Sequence, residues 1–162
     1  MTSVYFTNDT GILCLYRIGS RIANNLYVGA AGGHFEREEL NDPKRCVLRE
    51  LREELGLGEG DISHLRLRYI THRLKNGEIR QNYYYFAKLK NEKTLCSTEG
   101  ELKWISYDNI PKLQMPVSAK AMIMHYLQTG RYNDTLYCGI TEEEKTVFVP
   151  MKDFEDAKEA AQ

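Results

Sequence analysis

The stretch GGHFEREELNDPKRCVLRELREELGL, residues 32–57, constrains this chain more than any other because it specifies a helix together with both of its ends. Asn41-Asp42-Pro43 opens it: Asp42 accepts from the free N–H groups as N-cap, and Pro43 at the first helical position lacks only a donor that has no partner there. The pattern predicts a helix running to Leu55, with Gly56 behind it as the C-terminal stop. Val47, Leu48, Leu51 and Leu55 recur on one face at roughly 100° per residue. Glu50, Glu53 and Glu54 lie about a third of a turn round from that face, and Arg45, Arg49 and Arg52 fill the remaining arc. One face is therefore committed to a core while the acidic face looks sideways into a cleft.

Three carboxylates at i, i+3 and i+4 give a helix nothing by themselves. Like charges four apart cost a few tenths of a kcal/mol per pair, so Glu50 against Glu54 asks for a compensating cation. A solvated face laced with Arg–Glu pairs is the plainer reading, and Arg49 to Glu53 is such a pair at i, i+4. Its company argues otherwise. Gly32-Gly33 precedes the helix with a backbone that can approach a phosphate closely, and Pro43 and Gly56-Leu57 stand in their places. Carboxylates, a glycine loop and a divalent ion together point to phosphate chemistry.

The remainder of the chain bounds the class. At 162 residues, a single domain over 1–162 is the simplest organisation and is long enough for a substantial core. A net charge of −1 and a pI near 6.4 speak against a general binder of nucleic acid polymers or of membrane surfaces, which would carry a basic patch or a run of lysines. Cys14, Cys46, Cys96 and Cys138 show neither a C-x-x-C nor a zinc spacing, and with Cys14 in an apolar run and Cys46 in a helical segment, reduced core thiols are expected. No segment reaches the length of a membrane span. Met1 to Asn8 has neither the basic region nor the apolar run of a secretory leader, and a cytoplasmic protein is the expectation.

Strand signals surround the helix. Ser3–Phe6 and Ile12–Tyr16 flank the turn sequence Asn8-Asp9-Thr10-Gly11 and read as a hairpin, and Leu26–Ala31 is a short strand running into Gly32-Gly33. Leu65–Leu74 and Glu78–Leu89 flank Asn76-Gly77, the strongest short hairpin signal. Leu102–Ile105 reads as a strand, Ser118–Leu127 as a second helix, and Leu136–Ile140 with Thr146–Val149 as a closing hairpin. The tail from Asp153 to Gln162 reads as a short helix or a frayed end. Helices mixed with antiparallel hairpins make an α+β fold.

Gly32-Gly33 followed by Arg49-Glu50-Leu51-Arg52-Glu53-Glu54-Leu55-Gly56-Leu57 resembles the box of the Nudix hydrolases, among them the MutT-like nucleotide pyrophosphatases. That family's pattern is G-x5-E-x7-R-E-U-x-E-E-x-G-U, with U aliphatic. The half from Arg49 to Leu57 matches at every specified position. Gly33 is followed after five residues by Glu39, but Arg49 comes nine residues later instead of seven. The loop has gained two residues in Glu38-Glu39-Leu40-Asn41, so either Glu38 or Glu39 is the first box glutamate, and spacing from Gly33 favours Glu39. Glu99-Gly100-Glu101-Leu102-Lys103-Trp104 resembles the family's downstream E-x-x-x-x-W segment. The pattern fits a core of about 3–127, leaving a C-terminal hairpin and tail over 128–162.

The resemblance implies a Nudix-type α/β/α sandwich on a mixed β-sheet. It also implies Mg²⁺-dependent hydrolysis, with Mn²⁺ as a substitute, of the phosphoanhydride of a nucleoside diphosphate linked to another moiety, X. Glu50, Glu53 and Glu54 would supply carboxylates to the hard cation, and the Gly33 carbonyl would add a ligand. Glu53, Glu54 and Glu99 are the catalytic candidates, with the general base sought in Glu53 or Glu99 and Glu101 as a third choice. Arg49 would pair with Glu39 and brace the loop against the helix.

Arg17, His34, Arg73, Arg80 and Asn82 are candidate substrate contacts. Trp104 is expected as a packing anchor, half of Tyr83–Phe86 as core, and His64, His72 and His125 as structural or exposed. The overall resemblance to MutT-like members, together with small single-domain size, implies a nucleoside triphosphate pyrophosphatase, acting on an oxidised purine such as 8-oxo-dGTP, as the first expectation. An ADP-ribose or dinucleotide pyrophosphatase is the second. A non-catalytic Nudix-fold module that senses a nucleotide is the rival, and the intact glutamate triad speaks against it. The expected partner is a small nucleotide, and the chain a monomer or homodimer.

Overall fold

The computed structural model describes residues 1–18, 25–91 and 95–153. In chain order the strands and α-helices are β1 (Thr2–Thr7), β2 (Gly11–Arg17), β3 (Tyr27–Gly29), α1 (Pro43–Leu55), β4 (Ile62–Lys75), β5 (Glu78–Leu89), β6 (Gly100–Ser106), α2 (Val117–Gln128), β7 (Leu136–Glu142) and β8 (Lys145–Met151). The expected tail beyond Asp153 lies outside the described residues.

One mixed sheet of eight strands runs β3-β2-β1-β5-β4-β7-β8, with β6 on the free edge of β2. The β1–β5 and β4–β7 pairs are parallel and the others antiparallel. Alternation along the strands loads both faces. Val4, Phe6, Tyr85 and Ala87 pack with Val47, Leu51 and Leu55 of α1, while Tyr5, Tyr84 and Phe86 pack with Met122, Ile123 and Tyr126 of α2. The result is an α/β/α sandwich on a mixed sheet. Because helices cover both faces, Tyr84, Tyr85 and Phe86 are all buried, rather than half of the aromatic run.

α1 begins and ends as its sequence specifies. The Asp42 carboxylate accepts from the Arg45 amide at 3.0 Å. At the other end Gly56 adopts φ 65°, the left-handed region open to glycine, and the Leu57 amide closes back on the Leu51 carbonyl at 3.2 Å. Asn76 and Gly77, at φ 55° and 78°, form the tight turn between β4 and β5 that their order predicts.

The first hairpin is not a simple one. β1 and β2 pair only at Phe6–Leu13 and Thr7–Ile12 before they diverge. The chain from β3 fills the fork: Tyr27–Gly29 pairs with β2, and beyond it Ala31 bridges Val4 and the Gly33 carbonyl accepts from the Thr2 amide at 2.8 Å. The expected strand Leu26–Ala31 is thus divided between two partners, and Gly32-Gly33 is anchored at the start of β1. Trp104 departs from expectation. It is 45% exposed on an edge strand that pairs with β2 alone, and of the expected core thiols Cys14 and Cys46 are buried whereas Cys96 is exposed and Cys138 only partly buried.

Candidate active site

Arg49 is the hub of the box. Its Nε and Nη2 donate to the two oxygens of Glu39 at 2.9 and 3.0 Å, a fork-on-carboxylate pair. Nη2 also donates to the His34 carbonyl at 3.0 Å, and Nη1 lies 2.9 Å from Glu50 Oε1 and 2.8 Å from Glu53 Oε2. One cation therefore ties the loop after Gly33 to the helix and compensates the charges that helical spacing crowds together. Glu39 is buried and takes a further bond from the Glu36 amide at 3.0 Å, whereas Glu38 is exposed. The Arg49 guanidinium holds the Glu39 carboxyl down at about 2, against the cost of its burial.

Glu50 and Glu54 face inward. Burial raises the Glu50 carboxyl above the usual carboxylate range despite Arg49, and the charges of Glu53 and Glu39 add to the effect. Gly33 lies so close that a Cβ there would collide with the Glu50 carboxylate. Gly32 is needed for a separate reason, since its φ of 154° and the approach of Thr2 leave no room for a side chain. Its amide donates to Glu54 Oε2 at 3.0 Å. Burial pushes the Glu54 carboxyl up to about 7; the Gly32 bond opposes the shift, and Glu99 and Glu50 reinforce it.

A cavity of about 680 Å³ opens beside the box. Gly32, Glu54 and Glu99 line its box end, and Arg17 pairs with Glu99 there. Tyr5 and Tyr84 contribute aromatic lining, and His34, Asn82, Arg73 and Arg80 complete the set of substrate candidates, all on the lining. The remaining box residues stand behind it: Gly33, Glu39, Arg49, Glu50 and Glu53 do not line the cavity. The Glu53 side chain is 56% exposed and held by Arg49, and Glu101 is exposed and paired with Lys103 at 2.7 Å.

Two features escaped the sequence reading. Lys75 lines the cavity, and strand alternation from Arg73 could have found it. The first turn of α2, Val117 to Ala119, also lines it without a side-chain cap, a signal visible in Pro116 standing where a capping residue would.

The donor types fit a hard divalent cation: carboxylates of Glu50, Glu53 and Glu54 from one helical turn, with the Gly33 residue packed against Glu50 and its carbonyl accepting from the Thr2 amide. Burial first, and then the charges of Glu99 and Glu50, push Glu54 up to about 7, and a bound cation would offset both. As the side chains lie, no three acidic, histidine or cysteine groups among the described residues converge on one point. Arg49 draws Glu50 and Glu53, and the Gly32 amide draws Glu54.

A mixed sheet between two helices, with a glycine loop closed onto a carboxylate-bearing helix, defines the class of Nudix folds. The NUDIX domain profile matches residues 2–127, and the chain belongs to the Nudix hydrolase family. Solved structures agree on the fold. The mutator MutT protein from Bacillus halodurans is 23% identical over 92% of this chain and 95% of that one, with a TM-score of 0.63. A NUDIX hydrolase from Nitrosomonas europaea is 14% identical over 86% and 76%, with a TM-score of 0.69. The Ap4A hydrolase of C. elegans, solved as a binary complex, is 18% identical over 78% and 88%, with a TM-score of 0.56. No sequence among the curated proteins matches the chain.

Proposed function

We propose that the chain hydrolyses a phosphoanhydride bond in a nucleoside diphosphate linked to a second moiety, X, with Mg²⁺ as its metal and Mn²⁺ as a substitute. One observation carries the reading: Glu54 and the Gly32 loop border a cavity that also presents Arg17 and Glu99. Glu50, Glu53, Glu54 and the Gly33 carbonyl would hold the metal. When bound, it supplies Lewis acidity toward the phosphates and lowers the pKa of the attacking water.

The chain's own groups do the rest. Gly32, the loop glycine on the cavity lining, would meet a phosphate with no side chain between. Arg17 offers its guanidinium to phosphate oxygens, and its partner Glu99 is the proton acceptor for the attacking water. Among the candidate bases Glu99 is favoured because it lines the cavity, whereas Glu53 and Glu101 are held by cations outside it. Arg49 fixes the loop against the helix so that these groups keep their spacing.

A nucleoside triphosphate and a larger nucleoside diphosphate compound both satisfy the box. The cavity runs past Tyr84 along β5 to Arg80, and that length favours the larger compound over an 8-oxo-dGTP-like triphosphate. A panel of nucleoside triphosphates, oxidised triphosphates, ADP-ribose, NADH and diadenosine polyphosphates, assayed with Mg²⁺ and product identification, tests the reading. Glu54→Gln should lower kcat by roughly two orders of magnitude or more with folding intact. Failure of the unmodified protein to hydrolyse any compound in the panel would refute it.

A further inference from the structure

The hairpin end of the cavity carries three cations, Arg73, Lys75 and Arg80, against one carboxylate, Glu78, and is net positive. Arg73 of β4 and Arg80 of β5 are direct cross-strand partners, and both line the cavity. Like charges directly opposite one another destabilise an antiparallel pair. The Arg80 side chain has Glu78, at 3.9 Å, as a weak partner, and the side chains of Arg73 and Lys75 make no hydrogen bond or ion pair among the described residues; Glu78, which faces Lys75 across the strands, lines the same end. Lys75, two residues beyond Arg73, lines the same end. Here the chain tolerates repulsion with no folding role to explain it.

The order of groups along β5 says what such an end would meet. Tyr84, Asn82 and Arg80 follow one another on the lining at alternate positions, so Arg80 lies roughly 13 Å along the strand from Tyr84. Tyr84 is paired with Ser3, next to Thr2, whose amide binds the Gly33 carbonyl; it therefore stands at the level of the box. A substrate with its anhydride at the box would pass Asn82 and bring a more distant part of itself between the two arginines.

Building on the hydrolase reading above, we propose that Arg73 and Arg80, with Lys75, form a second anion subsite, and that the substrate carries a phosphate monoester remote from its anhydride. Two neighbouring guanidinium forks suit a dianion with three acceptor oxygens. A phosphate monoester is close to that state at neutral pH, whereas a carboxylate needs only one fork.

Binding tests this independently of turnover. Calorimetric titrations would compare the 2′,5′- and 3′,5′-bisphosphates of adenosine and guanosine with the corresponding 5′-monophosphates. At least one bisphosphate should bind about tenfold more tightly than its monophosphate, the gain expected for a few charge-assisted bonds. In the Arg73→Gln/Arg80→Gln double variant that ratio should fall to near one, and Arg80→Gln alone should lower it in part; circular dichroism confirms that each variant is folded. In turnover, the kcat/KM ratio of NADPH to NADH should collapse in the same way if the phosphate sits on the 2′ oxygen. Absence of any gain in the unmodified protein, or a gain that survives the double variant, would overturn the proposal. A gain in binding without hydrolysis of any panel compound would leave the subsite standing and remove the hydrolase reading.

Discussion

A single guanidinium, that of Arg49, settles three carboxylates and a loop carbonyl, so its loss should be felt in the fold before the chemistry. Arg49→Ala strands the buried Glu39 charge, and a destabilisation of about 3 kcal/mol in urea unfolding is expected. The shifted carboxyls of Glu39 and Glu54 act in opposite directions with pH. Glu39, lowered from 4.5 to about 2, contributes stability that is complete above about 4.5 and disappears as pH falls toward 2. Glu54, raised to about 7, is a group whose protonated form the fold prefers; its contribution is complete below about 4.5 and is lost as pH rises through 7. With metal chelated, urea melts from pH 5 to pH 8 should therefore show a decline that Glu54→Gln flattens. In the same chelated protein the Gly32 amide resonance, bonded to that carboxylate, should titrate with a midpoint near 7. At this scale the sequence showed the box residues well, because their spacing is local to one helix. The Arg49–Glu53 pair was readable from its i, i+4 spacing, but the turn of Glu54 inward to Gly32 was not, since it depends on a loop folded back from another strand.

At the scale of elements, α1 and the glycine loop behave as one part. The helix was readable to the residue at both ends because caps are sequence-local, and the loop was readable as a place of close approach but not as to what approaches. It is Glu50 that approaches. Gly33→Ala should accordingly leave stability within about 1 kcal/mol, since a flexible side chain can swing aside, yet displace a proposed metal ligand by the width of a methyl group. A loss of about a hundredfold in kcat with unchanged circular dichroism is the expected signature. The β1–β2 hairpin was read from its turn, and the turn is there. Its early divergence was not legible, because the competing partner arrives from β3, well beyond the turn.

For the whole molecule, the α+β class followed from helices and hairpins that each announce themselves, the α/β/α layering came from the resemblance of the box, and strand order depended on pairings between distant segments. Arg68 illustrates what local patterning misses. A charge on β4 reads as solvent-facing, but it is 6% exposed and donates to the carbonyls of Gly130 at 2.8 Å and Asn133 at 2.6 Å, with Thr135 at 3.3 Å. It thereby fastens the connection from α2 to β7, and with it the parallel strand that extends the sheet. Arg68→Ala leaves these acceptors without their donor, and a loss of about 3 kcal/mol is expected in thermal or urea unfolding.

The fork between β1 and β2 separates two parts of the molecule. The box is fastened to the start of β1 and to α1, with Arg17 at the end of β2 and Glu99 just before β6, whereas the residues that would greet the far end of a ligand ride on the outer reach of β4 and β5. Near the tip, Leu74 and Ile79 are largely exposed and contribute little to either core. Lineages can therefore lengthen, shorten or recharge that hairpin while the box stays fixed, and a laboratory can do the same by grafting residues 73–80. Appetite and bite are encoded in different pieces of this chain.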